Sequence, residues 1–268
     1  MYIIPVAVIS LFIIGAAFGS FAGVVIYRLH SKKRSIVTGR SACTECDTKL
    51  APLDLVPILS YMTLRGKCRY CSKEISYMYP LIEVLMGMVF AALFFKFTFV
   101  DVQLNFSLTI LGVYLLYAFY SFILIATFFF DLHYMKVADE LLLPAILIGL
   151  IATLGAPATP SLVDALIGGS GAALFFGLQA LISKGAWIGL GDLRIGAFMG
   201  VILGWKLVIV ALFLSYLIGS VVSLIVAIRA GKFFGLKIPF APFLVTGTLI
   251  TIFFGQNLMQ WYLGSLGF

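Results

Sequence analysis

Long runs of apolar residues follow one another along most of this 268-residue chain, and they restrict its fold more than any other feature. Hydrophobic residues make up 62% of the chain and charged residues only 11%. A water-soluble domain needs many more polar residues to cover its surface, whereas a helix that crosses a bilayer needs about 20 apolar residues. The sequence therefore predicts an all-α polytopic membrane protein.

Eight apolar segments are predicted to be transmembrane helices. The first is followed by many others, so it does not have the pattern of a removable signal peptide. The fourth and sixth segments are short, and we expect them to be tilted or packed inside the bundle. The predicted spans are residues 2–27, 80–100, 105–130, 141–154, 162–182, 195–205, 207–228 and 240–263.

The positive charges of the chain are concentrated in a few loops rather than spread over a surface. The net charge is +7, and ten of the 18 Lys and Arg residues lie between Arg28 and Lys73. If that loop is cytosolic, eight spans place six more basic residues on the same side, and only Lys96 and Lys206 face outward. This asymmetry predicts a bilayer protein with its long loop in the cytosol, and no nucleic-acid partner.

Small residues recur every four positions in two of the predicted spans. Such spacing lets transmembrane helices approach closely, so tight helix packing is the default interpretation. The glycines concerned are Gly15, Gly19 and Gly23 in the first span, and Gly196, Gly200 and Gly204 in the sixth.

All four cysteines of the chain lie in the long loop, as two pairs that are each separated by two residues. The pairs are Cys43 with Cys46 and Cys68 with Cys71. Two such knuckles suit tetrahedral thiolate coordination of a structural zinc ion. Two disulfides or a redox pair are the alternatives, but a reducing cytosol disfavours the first and no thioredoxin-like pattern supports the second. A loop of about 50 residues has little core of its own, so the metal would supply much of its folding energy.

Two aspartates stand at the cytosolic edges of predicted spans. Asp131 follows directly after the third span, and Asp192 follows Gly189 and Gly191 at the entry to the sixth. Carboxylates at membrane depth are costly and indicate function by default. Two carboxylates that face each other in a partly dry site share a proton, so one can activate water while the other protonates a carbonyl oxygen. The simpler alternative is that each caps a helix or lines a wet entrance.

Other polar residues near these aspartates have simpler interpretations. Asp139 and Glu140 precede the fourth span, where negative charge suits a helix N-terminus. His133 is close to Asp131 in sequence, but we expect a solvated loop histidine. The sequence contains no Ser-His-Asp pattern, zinc-protease motif or phosphate-binding loop.

Motifs along nearly the whole chain resemble those of the type IV prepilin peptidases, bifunctional leader peptidases and N-methyltransferases of the GxGD aspartyl protease group. The chain departs from the family at Gly23, Ala138 and Arg194, where Asn, Pro and Lys are usual. The matching segments are Gly19-Ser20-Phe21 with Arg28-Leu29, Ser41-Ala42-Cys43-x-x-Cys46, Pro57-x-Leu59-Ser60-Tyr61, Gly66-Lys67-Cys68-x-x-Cys71, Tyr79-Pro80-Leu81-x-Glu83, Asp131 with Asp139 and Pro144, Gly189-x-Gly191-Asp192, and Ile238-Pro239-Phe240-Ala241-Pro242.

The resemblance implies that Asp131 and Asp192 are the catalytic residues. It implies a substrate, a prepilin or pseudopilin precursor with a short basic leader, cut at the cytosolic face of the bacterial cytoplasmic (inner) membrane. It also implies methylation of the new amino terminus from S-adenosylmethionine, for which the sequence assigns no binding residues. The expected domains are a first transmembrane helix at 1–27, a cytosolic four-cysteine zinc domain at 28–79 and a transmembrane protease core at 80–268.

Two other classes of function are compatible with the same residues. A membrane anchor whose zinc loop docks a partner would need neither aspartate. A proton- or cation-coupled transporter would use a path of intramembrane carboxylates, namely Glu83, Asp131, Asp164 and Asp192.

Overall fold

The structure, a computed structural model, describes residues 3–31, 39–99, 108–186, 188–231 and 235–265. Each of the eight predicted apolar segments is helical within these ranges, and none of the described residues forms a strand. Six of the helices, α1, α3, α4, α6, α7 and α8, are long and apolar enough to cross a membrane. The helices are α1 Ile3–Ser31, α2 Leu59–Thr63, α3 Met78–Phe99, α4 Leu108–Tyr134, α5 Asp139–Ala152, α6 Leu162–Ile182, α7 Leu190–Ala230 and α8 Ala241–Ser265.

Helix α7 contains both the sixth and the seventh predicted spans in 41 residues. The helical backbone is interrupted at Gly204, which has φ 74° and ψ 171°, a conformation that favours glycine. Gly196 packs against Phe176 on α6, and the Tyr216 hydroxyl donates a hydrogen bond of 3.0 Å to Gln179 on the same helix. A continuous helix would separate residues 196 and 216 by about 30 Å, so α7 folds back at Gly204 into two arms, 190–203 and 205–230.

The two short predicted spans are short in the structure. Helix α5 and the first arm of α7 contain about 14 residues each, which corresponds to about 21 Å. The first arm is buried at Ile195, Gly196 and every residue from Phe198 to Gly204, as expected for a short span packed inside a bundle. Helix α5 is buried on one face only, with Leu143 and Leu147 exposed on the other.

The chain divides into two compact units, residues Met1–Phe129 and Phe130–Phe268. In the first unit, α1 packs against α3 through the glycines that the sequence singles out. A Cβ atom on Gly15 would lie 2.7 Å from the Met86 carbonyl oxygen, and one on Gly19 would lie 2.6 Å from the Glu83 Cα. These glycines therefore bring two helix backbones into direct contact, as predicted.

In the second unit, α7 packs against α5, α6 and α8. Its closest approach is to α6, where a Cβ atom on Gly168 would lie 2.7 Å from the Gly200 carbonyl oxygen. Gly204 differs from the predicted packing role, because its main contribution is the backbone reversal. A Cβ atom there would lie 3.0 Å from the Pro160 Cβ.

Replacing Gly200 with Ala should destabilise the protein, because the added Cβ would overlap the backbone of Gly168. Overpacking of this kind costs about 1–3 kcal/mol. Gly171→Ala is the matched control, since nothing lies within 4 Å of a Cβ atom at that position of α6. Thermal unfolding of the purified protein in detergent should show a lower midpoint for Gly200→Ala alone. Equal midpoints for both variants would contradict this packing.

Candidate active site and metal cluster

Asp131 lies in the last turn of α4 and is only 6% exposed. Its Oδ2 atom accepts a hydrogen bond of 3.1 Å from the backbone N–H of Ala241, the first residue of α8. The first N–H groups of a helix have no partner inside the helix, and the helix dipole favours negative charge there. The carboxylate of Asp131 is thus held by the start of a helix that lies 110 residues further along the chain.

Asp192 lies in the first turn of α7 and is 8% exposed. Its Oδ2 atom accepts a hydrogen bond of 3.1 Å from the backbone N–H of Gly189, while its own N–H donates to the Gly189 carbonyl at 3.1 Å. These reciprocal bonds form a capping arrangement that starts the helix. The helix-cap interpretation of both aspartates is therefore correct for one oxygen atom of each side chain.

The loop that follows Asp131 packs against the glycine that precedes Asp192. A Cβ atom on Gly191 would lie 2.7 Å from the Val137 Cβ, so only glycine leaves room for that side chain. The absence of a side chain at Gly191 thus makes room for the side chain of Val137. One turn further, Arg194 Nη1 donates to Asp139 Oδ1 at 2.5 Å and ties the first residue of α5 to α7.

The structure brings the two aspartates together at the end of the second unit where α4 ends and α5, α7 and α8 begin. Gly191, the residue before Asp192, packs against Val137 of the loop that follows Asp131, so both carboxyl groups lie in this one region of the unit. Each keeps its Oδ1 atom without a hydrogen-bond partner among the described residues. Two adjacent carboxyl groups with one oxygen each available can bind a shared proton or a water molecule.

The remaining acidic candidates are not part of this pair. Asp164 lies in the first turn of α6, where its Oδ2 accepts from the Ser161 hydroxyl at 2.7 Å. A Cβ atom on Gly204 would lie 3.5 Å from the Asp164 Cβ, which places Asp164 about 18 Å along the first arm from Asp192. Asp164 therefore does not continue a path of carboxylates from Asp192, as a transporter would require.

His133 and Glu140 are exposed and lie beside the pair in sequence only, since no described contact joins either to an aspartate carboxylate. Sequence reasoning missed the N–H of Ala241 and treated Arg194 only as a departure from the family pattern. Pro242, the second residue of α8, was the available signal for Ala241, because proline in a first turn marks a helix start with unpaired N–H groups.

The four cysteines form one cluster in the first unit. Their Sγ atoms all lie within 4.8 Å of one another, and Cys43 Sγ is 3.9 Å from Cys71 Sγ. All four are free thiols, so the disulfide alternative is not what the structure contains. A tetrahedral zinc ion with Zn–S bonds of about 2.3 Å separates its sulfurs by about 3.8 Å, so the cluster fits that ion closely.

The two knuckles have the same backbone hydrogen bonds, 25 residues apart. Cys43 N–H donates to the Thr48 carbonyl at 3.0 Å, and Cys68 N–H donates to the Lys73 carbonyl at 2.8 Å. The turn in each knuckle is closed by a second bond to the carbonyl of its first cysteine, 3.0 Å from Asp47 and 2.9 Å from Ser72. Each knuckle is therefore a tight turn closed by backbone hydrogen bonds, with its two cysteines in the same four-thiol cluster.

The thiols of this cluster differ in acidity. Hydrogen bonds to Thr48 lower the pKa of the Cys46 thiol to about 6. A hydrogen bond from the backbone of Lys73 lowers the pKa of Cys71, but burial and the neighbouring sulfurs outweigh it and raise that pKa to about 11. Four sulfurs this close together resist ionising at once unless a cation lies among them. The donor set and its spacing fit a thiophilic metal ion such as zinc.

A membrane-embedded helical protein with a buried aspartate pair and a four-cysteine loop is the class that the fold and these residues define. The bacterial peptidase A24 N-terminal domain matches residues 13–97, and the type IV leader peptidase family matches residues 118–224. The chain belongs to the type IV leader peptidase family.

Several similar proteins align with nearly the full length of the chain. The prepilin leader peptidase/N-methyltransferase of Bacillus subtilis (strain 168) is 31% identical over 94% of this chain and 96% of its own length. The proteins of the same name from Legionella pneumophila and Neisseria gonorrhoeae are each 31% identical over 92% of this chain, covering 91% and 90% of their own lengths. No solved structure matches this chain.

Purified protein should contain one tightly bound zinc ion per chain, and Cys68→Ser should lose it, because three thiolates no longer close the tetrahedral shell. Ser72→Gly is the matched control, since Ser72 lies in the same knuckle, is exposed and has a φ of 57° that glycine adopts freely. Metal analysis by mass spectrometry measures the ratio. A Cys68→Ser protein that retains one zinc ion per chain would contradict the assignment.

Proposed function

We propose that this chain cleaves the basic leader peptide from type IV prepilin-like precursors and then methylates the new amino terminus. The relatives that span its length carry both activities in their names. The observation that carries the proposal is the pair of buried aspartates, Asp131 and Asp192, at converging helix ends. A peptide that enters along the membrane meets this pair where helices begin and end.

Cleavage uses the two carboxyl groups as one acid–base unit. One carboxylate takes a proton from a water molecule, whose oxygen then bonds to the carbonyl carbon of the scissile peptide. The other carboxyl group gives its proton to the carbonyl oxygen. When the C–N bond breaks, the departing nitrogen takes the proton that the first carboxylate had removed from water and leaves as a free amine. A hydroxyl of the tetrahedral intermediate returns its proton to the second carboxylate as the carbonyl re-forms. The backbone N–H groups of Ala241 and Gly189 fix one oxygen of each carboxyl group and leave the other for water or substrate.

The side of the membrane on which this occurs follows from the basic residues. Sixteen of the 18 Lys and Arg residues fall on the side of the four-cysteine loop when eight spans are counted. The reversal of α7 at Gly204 supports that count, because it makes two spans out of one 41-residue element. We place this side in the cytosol and the protein in the bacterial cytoplasmic membrane, with residues 28–79 as the zinc domain and 80–268 as the protease core.

Zinc has a structural role in this proposal. Cys43, Cys46, Cys68 and Cys71 would hold it, and four protein ligands leave no open position for a reacting water molecule. The ion supplies folding energy to a loop in which few side chains are buried.

S-adenosylmethionine is the methyl donor in this proposal. The described residues contain no strand, so they contain no Rossmann-type site for it. The sizeable polar surface among the described residues is the four-cysteine loop, and we place the donor where that loop meets the helices. Methyl transfer requires a deprotonated amine in line with the methyl group and does not require the aspartate pair.

Asp131→Asn and Asp192→Asn should each abolish cleavage, with a loss of at least about 100-fold, because an amide cannot take up or share the proton. Asp164→Asn is the matched control, since that carboxylate lies in the first turn of α6, away from Asp192, and contacts Ser161. The assay is mass analysis of a prepilin incubated with each purified variant. Full cleavage by either site variant would remove that residue from the mechanism.

The Asp131→Asn, Asp192→Asn double variant should still methylate a substrate that is already cut. The reason is that alignment of the amine with the donor does not depend on the proton relay. Loss of zinc should impair methylation at least as much as cleavage, because the donor is placed on the loop. Transfer of labelled methyl to a synthetic mature pilin peptide measures both effects. A folded double variant that transfers nothing would show that the two sites are inseparable.

A further inference from the structure

The four-cysteine loop carries an exposed apolar surface that neither the cysteines nor the aspartates explain. It lies on a 3-10 turn, Pro52–Leu55, and on the following helix α2. Leu53 is 73% exposed, Leu59 60% and Met62 67%. These three residues and Leu55 are here called the loop patch. A loop domain that faced only water would not be expected to expose four large aliphatic side chains together.

The position of the loop patch is fixed by a buried carboxylate of α3. Glu83 Oε2 accepts a hydrogen bond of 2.7 Å from the backbone N–H of Ile58, the residue that precedes α2. Glu83 is 7% exposed and also bonds the Ser20 side chain of α1. The start of α2 is therefore attached to the packed α1–α3 pair and cannot drift away with the rest of the loop.

The backbone at the attachment point supports a specific placement. Ile58 has φ 63° and ψ −52°, which is an outlier for a β-branched residue. Such a conformation persists only where the surrounding structure compels it, and the hydrogen bond to Glu83 is one of the contacts that hold this residue.

The depth of Glu83 sets the depth of the loop patch. Helix α3 contains 22 residues, or about 33 Å, and needs nearly all of that length to cross about 30 Å of hydrocarbon. Glu83 lies five residues after its first residue, Met78, and hence about 7.5 Å inside the membrane edge. Tyr77, which is 74% exposed, stands immediately before α3, where interfacial tyrosines are common. The loop patch is thus attached at the level of the lipid headgroups and the first acyl carbons.

The charges next to the loop patch suit the same location. Arg65 and Lys67 follow α2 directly, are exposed and have no ion-pair partner among the described residues. Arg69 and Lys73, further along, are in ion pairs with carboxylates of the loop. A short apolar segment followed by unpaired cations is typical of a segment that lies in an anionic membrane interface.

We propose that the loop patch is a lipid-binding surface, with Leu53, Leu55, Leu59 and Met62 inserted into the membrane interface and Arg65 and Lys67 on anionic headgroups. The four-cysteine loop then lies on the membrane rather than projecting from it. A substrate helix is the other occupant of suitable chemistry. Lipid is favoured because the patch is attached at a depth that lipid already occupies.

Quenching of a single tryptophan by brominated lipid tests this placement. Trp187, Trp205 and Trp261 are changed to Phe, and Met62→Trp or the control Thr44→Trp is added; Thr44 is an exposed residue of the first knuckle. The full chain is reconstituted in vesicles of phosphatidylcholine and phosphatidylglycerol, with acyl chains brominated near the headgroup or unbrominated. Quenching at position 62 should exceed that at position 44 at least twofold, and Leu59→Trp repeats the measurement if Met62→Trp does not fold.

Equal quenching at positions 62 and 44 would overturn the proposal. So would a tryptophan at position 62 that lipid does not quench but whose emission shifts to the blue when a prepilin peptide is added, since the patch would then be a substrate groove. In the Met62→Trp background, Glu83→Ala should lower quenching toward the control. Glu83→Gln should preserve it, because the amide oxygen still accepts from Ile58. Unchanged quenching in Glu83→Ala would overturn the role of Glu83 as the attachment.

Discussion

Each buried acidic residue among the described residues accepts a hydrogen bond from a backbone N–H at the start of a helix. Asp131 accepts from Ala241 of α8, Asp192 from Gly189 before α7, and Glu83 from Ile58 before α2. Hydrocarbon offers no water to either partner, so a lone carboxylate and an unpaired helix N–H are both costly there. Pairing them removes both costs and fixes which helix starts next to which side chain.

The three carboxylates differ in whether an oxygen atom remains without a partner once the other oxygen has accepted the helix N–H. Glu83 also bonds Ser20, and its carboxylate joins the loop to the helices beneath it. Asp131 and Asp192 each keep Oδ1 without a described partner, and both lie at the end of the second unit where α4 ends and α5, α7 and α8 begin. The same kind of hydrogen bond, from a helix-start N–H to a carboxylate, therefore attaches the loop in the first unit. In the second unit it leaves two carboxyl groups with one oxygen each available.

Much of the fold could be predicted because membrane crossing leaves a strong local signal. Apolar length gave the helices, and glycine spacing gave the contact of Gly200 with α6. The cysteine spacing gave the cluster, because each knuckle is a local turn. Pro242 marks a helix start next to Ala241, but nothing local in the sequence pairs that start with Asp131, which is 110 residues away. A reversal between the sixth and seventh spans was expected from the span count, but its position at Gly204 was not, because that glycine also fits a packing pattern.

For the proposed hydrolysis, the lengths of the helices next to the aspartates matter. Helix α5 and the first arm of α7, at about 21 Å, fall about 9 Å short of the hydrocarbon thickness, so the bilayer or the neighbouring helices must adjust around them. Asp192 is in the first turn of that arm, and Asp139, which pairs with Arg194, begins α5. The carboxyl pair thus lies at the end of the second unit where these two short helices begin. The proposed hydrolysis needs water at a peptide that is otherwise in lipid, and carboxyl groups at helix ends lie nearer to water than groups in the middle of a span.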